Sequence, residues 1–553
     1  MRKAHWLLVI LFLGGCQRSA PPAAVELTVA PSVIRCVQGE IVPLRVSVDN
    51  RAAGVIATRN RFFLSFHLTG AASLMENRRF ALPKAARRGR TEMTVPVFFS
   101  APPGRYSVRF DLVREGDFWG ERRGWRGTTA ELELLPLVSA EFRRQSLPVF
   151  SPGEPWAEAE QHLVRLCLRN GEVRDGRGLV GFAPGSDYPQ VWIRDTATLI
   201  DYALRFYPWN DLAGVLERFL AVQRPDGEMV DWFDGQGKTG KNTVATDQES
   251  SLILAAAAVA RGHDEWLGRP LQGKRIIDRL MAAAEWVWTR RRDPKCGLIT
   301  SGLTADWGDV ERSYPDDRAL SRSDRSQPVC GIYVQAKYLQ ALDTLTGLLE
   351  ARGERVAARR WRQRREGLAL RTRSVLYRPE RGYFRIHRAV GSRPVPEAGE
   401  ILAVGGNAEA ILAGLLDRNE GRRFFAAWEE KRSELGLTDP SFVLLPPFPA
   451  GYFPHPLLRT PYSYQNGGAW DWFGARLARA AFQVGLEAVG WSMLRQMAGK
   501  HQRVHTVFEW EDRQGVGRGA FSYAGAAGLI GELLLDRLPG SPAAQPNQEV
   551  HVP

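Results

Sequence analysis

Tyr188-Pro189-Gln190-Val191-Trp192-Ile193-Arg194-Asp195 leads straight into Thr196–Tyr207, where apolar residues recur at three- and four-residue spacing. That period predicts an amphipathic helix. The residues before it are flat, charged or rigid, and they belong to a loop. The same join, an aromatic and acidic loop beside a helical stripe, returns along the chain. Gly227–Asp234 carries Asp231, Trp232 and Asp234, and Thr246–Glu249 carries Asp247 and Glu249. Thr304–Asp309 carries Asp306, Trp307 and Asp309, and Tyr464–Trp472 carries Gln465, Asn466 and Trp470. Phe508–Asp512 carries Glu509, Trp510 and Glu511, shortly before Phe521-Ser522-Tyr523.

Working outward from these joins, helical periodicity begins near Glu158 and gives eleven stripes: Thr196–Tyr207, Asp211–Gln223, Asp247–Arg261, Ile276–Trp288, Tyr333–Ala351, Val356–Leu376, Ala408–Leu416, Arg422–Leu435, Trp470–Val484, Leu486–Met497 and Gly519–Leu535. Paired helices with long glycine- and aromatic-rich loops at alternate junctions predict an all-α (α/α)6 toroid over residues 179–538. Residues 138–178 read as a connection and 539–553 as a Pro/Ala/Gln-rich disordered tail.

Ahead of the helices the period is two. Leu44–Val48, Phe62–Leu68, Met93–Phe99, Tyr106–Val113 and Ala130–Leu135 alternate, with turns at Asp49-Asn50, Gly70 and Pro102-Pro103-Gly104 between them. Short strands with regular turns predict an antiparallel β-sandwich over 25–137. Its Ala101–Trp119 stretch resembles Ig-like modules of bacterial carbohydrate-active proteins. Phe118, Trp119 and Trp125 then read either as glycan contacts or, preferred here, as core.

The chain has 553 residues, 44% hydrophobic and 24% charged, which is globular composition and excludes a disordered chain, a collagen or a polytopic membrane protein. The 74 Lys and Arg against 61 Asp and Glu give +13, with Arg grouped at Arg290–Arg292 and Arg359–Arg365. No nucleic-acid-binding signature accompanies that charge, so it reads as a solvated surface and no nucleic-acid partner is expected. The glycine pairs lack a P-loop or dinucleotide-fold context, the histidines lack metal spacing, and no Gly-x-Ser-x-Gly elbow occurs. No cofactor is expected, and no metal among Asp231, Asp234 and Asp247.

Met1-Arg2-Lys3 and the apolar run Trp6–Leu13 form a leader too short for a spanning helix. Its end, Leu13-Gly14-Gly15-Cys16, resembles the lipobox of bacterial lipoproteins. The resemblance implies a lipoprotein signal segment with its lipobox at 1–16, cleavage just before Cys16, acylation of Cys16 as the new N-terminus, a tether at 17–24 and, with Gln17 next, sorting to the outer membrane. Export permits disulfides, and Cys296 with Cys330 is the preferred pair. The other cysteines are Cys36 and Cys167.

The loops fit a sugar site. Aromatic faces stack on a pyranose, carboxylates, amides and Arg satisfy hydroxyls, and glycosidic hydrolysis needs two carboxyl groups. Residues 179–535 resemble the six-hairpin glycosidase superfamily of glucoamylases, trehalases and glycogen-debranching enzymes. Trp192-Ile193-Arg194-Asp195 matches its Trp-x-Arg-Asp segment, whose Asp binds sugar hydroxyls. Tyr464–Trp470 matches Tyr-x-Asn-Gly-Gly-x-Trp. The resemblance places the general acid in Asp306–Asp309 and the base at Phe508–Trp510. Asp309 leads as acid, with Asp306 its rival, because Gly308 stands where glucoamylase-type enzymes carry Glu. Glu509 leads as base, with Glu511 its rival. Trp192, Arg194, Asp195, Asp231, Trp232, Asp247, Glu249, Trp307, Tyr464, Gln465, Asn466, Trp470, Trp510 and Tyr523 are the expected substrate contacts. Asp247 and Glu249 also read as helix-entry charges, and Lys500–His505 reads as loop surface.

The resulting expectation is an exported, lipid-anchored, inverting glycoside hydrolase acting on an α-linked glucan or oligosaccharide. Alternatives are a phosphorylase, a non-catalytic glycan-binding or assembly lipoprotein of an envelope polysaccharide system, and a structural lipoprotein that docks to a partner through its β-module.

Overall fold

The computed structural model describes residues 23–137, 155–390 and 400–537, apart from 53, 71, 72, 74, 77, 177, 187 and 246. The leader with Cys16, residues 17–22 of the tether and the 539–553 tail lie outside the described residues. The chain divides into two compact units. One holds 42–97 and 104–134 with the residues before 37; the other holds 37–41, 98–103 and everything from Leu135.

The first unit is β-rich. A three-stranded sheet runs in the order β1 (Val25–Ala30), β3 (Ile41–Asn50), β6 (Gly89–Phe98). A second sheet runs β2 (Val33–Val37), β9 (Thr128–Leu135), β7 (Gly104–Arg114), β4 (Phe62–Thr69), β5 (Phe80–Ala81), with β8 (Phe118–Trp119) beside β7. The ladders β1–β3, β4–β7, β7–β8 and β7–β9 are antiparallel. In β4 and β7 the cross-strand pairs Leu64↔Leu112, Phe66↔Phe110 and Leu68↔Val108 are buried, as alternation requires of a sheet with one covered face. Phe118 and Trp125 meet edge to face at 5.4 Å, and Phe62 stacks on Trp125 at 5.9 Å. Trp119 lies 4.3 Å from the His67 ring. These aromatics pack within their own unit.

The second unit is helical. Twelve helices of nine residues or more stand among its described residues. They are α1 (Pro155–Asn170), α2 (Ile193–Ala203), α3 (Trp209–Ala221), α4 (Gln248–Ala260), α5 (Ile276–Arg290), α6 (Ile332–Ala351), α7 (Arg355–Leu376), α8 (Val404–Leu412), α9 (Arg418–Glu434), α10 (Asp471–Gln483), α11 (Glu487–Val504) and α12 (Ala524–Arg537). The even-numbered helices form a closed ring: α2 packs on α4, α4 on α6, α6 on α8, α8 on α10, α10 on α12, and α12 on α2. The odd-numbered helices back them, α1 on α12, α3 and α5 on α4, α7 on α6, and α9 and α11 on α10. Composition follows position. α4 buries Leu252, Ile253, Ala255, Ala256, Ala258 and Val259 around most of its girth, and its alanines let neighbours approach closely. α7 buries only the stripe Ala358, Trp361, Leu368, Thr372 and Leu376 and turns Arg355, Arg359, Arg360, Arg362 and Arg371 to water. Among the described residues no helix is long and apolar enough to cross a membrane.

Three readings are corrected here. Residues 138–178, taken as a connection, hold α1, whose Leu163, Val164, Cys167 and Leu168 are buried and which backs α12. The last helix starts at Ala524, because Gly517–Phe521 is a strand paired with Phe508–Glu511. Lys500–His505 is not a loop. It completes α11, with His505 as the left-handed C-cap, and it buries His501.

Candidate active site

The loops that enter the ring helices gather at one end of the ring. Asp195 opens α2, Asp247 immediately precedes α4, Tyr333 opens α6, Trp470 and Asp471 open α10, and Tyr523 immediately precedes α12. These entries bond across to one another. Tyr523 Oη donates to Asp195 Oδ1 at 3.0 Å, Tyr333 Oη donates to Asp247 Oδ2 at 3.0 Å, and Arg194 reaches Asp247 at 3.5 Å. The strand Gln190–Trp192 pairs with Trp232–Asp234, which registers Trp192 against Trp232 and fixes the entry to α2.

A small cavity of about 50 Å³ opens among these loops. Tyr188, Trp192, Trp307, Tyr464, Trp470, Trp472 and Tyr523 give it aromatic walls. Asp195, Asp309 and Glu509 are its carboxyl groups, and Arg194 is its cation. A mostly aromatic pocket with a few converging polar groups is the usual form of a small-ligand site. Trp192 Nε1, Arg194 Nε, Trp307 Nε1 and Gln465 Oε1, all on lining residues, are buried without a hydrogen-bond partner among the described residues. Buried polar atoms are normally bonded, and these belong to residues that line the cavity.

Each carboxyl is held differently. Glu509 lies on the strand Phe508–Glu511, where a register shift falls between Phe508 and Trp510. Its Oε1 accepts from Tyr188 Oη at 2.9 Å and its Oε2 from Ala520 N at 3.0 Å. Burial pushes the Glu509 carboxyl up to about 7, against the pull of those two donors. Opposite it, Gly519 has φ +66°, and a Cβ there would stand 2.2 Å from the Glu509 carboxylate, so glycine makes the room. Asp309 Oδ1 accepts from Gln465 Nε2 at 3.0 Å, and its backbone carbonyl accepts from Asn242 Nδ2 at 2.8 Å. Gly308, at φ +125°, allows that approach, since a Cβ there would lie 2.4 Å from Gln465 Oε1. Asp195 is fully buried, and burial lifts it to about 6 while Arg194 and Tyr523 hold it down.

Asp306 does not line the cavity. Its Oδ2 accepts from Gly406 N at 2.7 Å at the start of α8, and burial pushes it up to about 7. Asp306, Tyr464 and Ser522 adopt positive φ (135°, 44° and 56°), and each immediately precedes a lining residue: Trp307, Gln465 and Tyr523. Backbone strain of this kind is held at functional sites by the structure around it.

The remaining expected contacts stand behind the wall. Asp231 accepts from Asn242 N and Gln248 Nε2. Glu249 accepts from Met229 N at 2.8 Å and Lys241 Nζ at 3.1 Å. Asp247 occupies the cap position of α4 without capping it, its carboxylate held by Tyr333 and Arg194. Asn466 pins the loop by bonding Phe448 and Leu458. Trp232 and Trp510 pack against Trp192 and Tyr464. Glu511 lies 3.6 Å from Lys500 in a buried ionic network. There Lys500 bonds Asp439 and Asp471, while His501 bonds Glu160 through Nδ1 and Asp471 through Nε2, both at 2.7 Å. Tyr188 and Trp472 were not among the expected contacts, although both stand in the quoted loops. Among the described residues no group of His, Cys, Asp and Glu is arranged to hold a metal ion.

The sequence matches no protein-family model and no curated protein. Its fold is shared with solved glycoside hydrolases. A GH63 mannosylglycerate hydrolase from Thermus thermophilus aligns at 16% identity over 68% of this chain and 99% of its own, with a TM-score of 0.51. A rhamnosidase from Klebsiella oxytoca aligns at 13% identity over 90% of this chain and 88% of its own, also with a TM-score of 0.51. A GH78 rhamnosidase of a Bacillus species gives 13%, 89%, 46% and 0.50 for the same quantities.

Proposed function

We propose that the helical unit is an (α/α)6 toroid with the active site of an inverting glycoside hydrolase, in a chain exported and lipid-anchored at Cys16 behind an Ig-like β-sandwich. The observation that carries the reading is one cavity that brings Asp309 and Glu509 together, beside Asp195, among aromatic walls. A sugar ring stacks between the walls, and its hydroxyls bond Trp192 Nε1, Trp307 Nε1, Gln465 Oε1, Arg194 and Asp195. Asp309 is the general acid. Gln465 donates to its Oδ1, which leaves Oδ2 to carry the proton that passes to the leaving oxygen. Glu509 is the general base. Its raised basicity near neutrality suits removal of a proton from the attacking water. The resemblance to the six-hairpin glycosidases supports an α-linked glucan or oligosaccharide as substrate.

The test is a screen of reducing-sugar release from α- and β-linked oligosaccharides by wild type, Asp309→Asn and Glu509→Gln, with the anomer of the product followed by NMR. Release that both variants abolish, with an inverted first product, is expected. Phosphate-dependent turnover would instead identify a phosphorylase. Glycan binding without turnover, equal in all three proteins, would identify a binding protein.

A further inference from the structure

We propose that Cys296 and Cys330 form a disulfide in the mature protein, and that this bond ties off the loop that carries Asp309. The proposal rests on the export reading, since an oxidising compartment is needed. The two Sγ atoms lie 3.2 Å apart across 34 positions of sequence. Both are held there by backbone. Cys296 sits in a tight turn after α5, where Asp293 Oδ1 accepts from Lys295 N and Cys296 N at 3.0 and 2.7 Å, and Arg371 Nε donates to the Cys296 carbonyl at 2.7 Å. Cys330 is central in the strand Pro328–Gly331, which lies between Ser301–Gly302 and His387–Ala389. Closing the bond requires the two sulfurs to approach from 3.2 Å to about 2.05 Å. The enclosed segment contains Asp306, Trp307, Asp309 and Glu311, so the crosslink joins the root of the proposed acid loop to the strand that enters α6.

Access sets the order of events. Cys330 is 1% exposed, whereas Cys296 is half-buried and lines a cavity of about 620 Å³ with Trp288, Arg292, Lys295, Arg364 and Arg371. A thiol–disulfide oxidant therefore meets Cys296 first. The Cys296 thiolate attacks one sulfur of the oxidant's disulfide, forming a mixed disulfide and expelling one oxidant thiolate. The Cys330 thiolate then attacks Cys296 Sγ and expels the second. Two protons and two electrons leave the protein, and the oxidant disulfide ends as two thiols.

The test expresses the full chain with its own leader in a bacterium with an oxidising periplasm, then denatures the product without reductant in iodoacetamide and maps the labelled cysteines by mass spectrometry. Label on Cys36 and Cys167 and none on Cys296 and Cys330, with a linked peptide spanning the pair, is the expected result. Cys296→Ser, Cys330→Ser and reductant should each lower Tm by about 5 °C, and the double variant by no more than the singles. Label on all four thiols in a chain whose mass shows processing at Cys16 overturns the disulfide and leaves the export reading standing. If the leader is retained, export fails, and oxidised glutathione is then added to the same purified chain. An internal crosslink upholds the pair, and separate glutathione adducts on Cys296 and Cys330 overturn it.

Discussion

Glu509 and Glu511 stand two residues apart on one strand, both are buried, and burial pushes both up to about 7. They belong to different regions. Glu509 lines the cavity, where its donors are a tyrosine hydroxyl and one backbone N–H. Glu511 faces the ionic network of Lys500, Asp471, Asp439, His501 and Glu160, where each charge has an opposite charge against it. Burial alone therefore does not separate chemistry from structure. A carboxyl surrounded by fixed counter-charges holds the fold. One beside neutral donors and an opening keeps its proton exchange for a ligand.

The largest effect that would sharpen this contrast is on turnover. Glu509→Gln and Asp309→Asn are each expected to lower kcat by about 10²–10⁴-fold, measured by sugar release, with the cooperative melt retained. An equal loss in Glu511→Gln would break the comparison. Glu509→Gln should also raise Tm above pH 7. A carboxyl whose folded value lies above its unfolded one costs stability as pH rises through both, and the amide escapes that cost.

Next comes the network. Removing one partner of a buried ion pair costs about 3–5 kcal/mol, so Asp471→Ala should show a loss of that size in chemical denaturation. Burial pulls His501 down, but Glu160 and Asp471 on its two ring nitrogens outweigh it and hold the ring up at about 10. Its stabilisation is complete below the unfolded value of 6.5 and is lost as pH rises through about 10. Wild-type Tm should fall between pH 7 and 10 more steeply than that of His501→Gln. Parallel curves would remove the network's role.

A smaller effect concerns pH dependence. Glu509 must be ionised to act as base, so kcat/KM should fall below about pH 7. Tyr188→Phe removes a hydrogen bond that favours the anion and should move that limb upward by a fraction of a pH unit. A downward shift would contradict Tyr188 as the donor. The smallest effect is that of Glu511→Gln, whose kcat is expected within about threefold of wild type.

The helical ring was legible because its stripes are long and periodic and because Trp192–Asp195, Asp306–Asp309 and Tyr464–Trp470 punctuate them. What escaped has particular causes. α1 carries a clear stripe but follows a Pro- and Gly-bearing stretch, Pro148–Pro155, that reads as linker. The start of α9 was read at Arg422, although Asp417 and Glu420 form a reciprocal capping box that marks it four residues earlier. Gly519–Phe521 was merged into α12, because the glycines of that strand serve close contact with Phe508 and Glu509 and give no period of their own. At the site, residue types were readable but partners were not. Asp306 and Asp309 differ only in whether their side chains meet Gly406 N or Gln465, and that depends on chain segments about 100 and 156 positions away.

The ring also sets a timetable. Its last member, α12, is the one that packs on α2, the first. Until Ala524–Arg537 has left the ribosome, the nascent chain carries five members of a six-membered circle, with an apolar seam open at each end. At synthesis rates of about 5–20 residues per second the wait between α2 and α12 is on the order of tens of seconds. Through that interval the seam needs a chaperone or transient local cover, and a stop codon placed just before α12 should yield aggregate in place of a smaller ring.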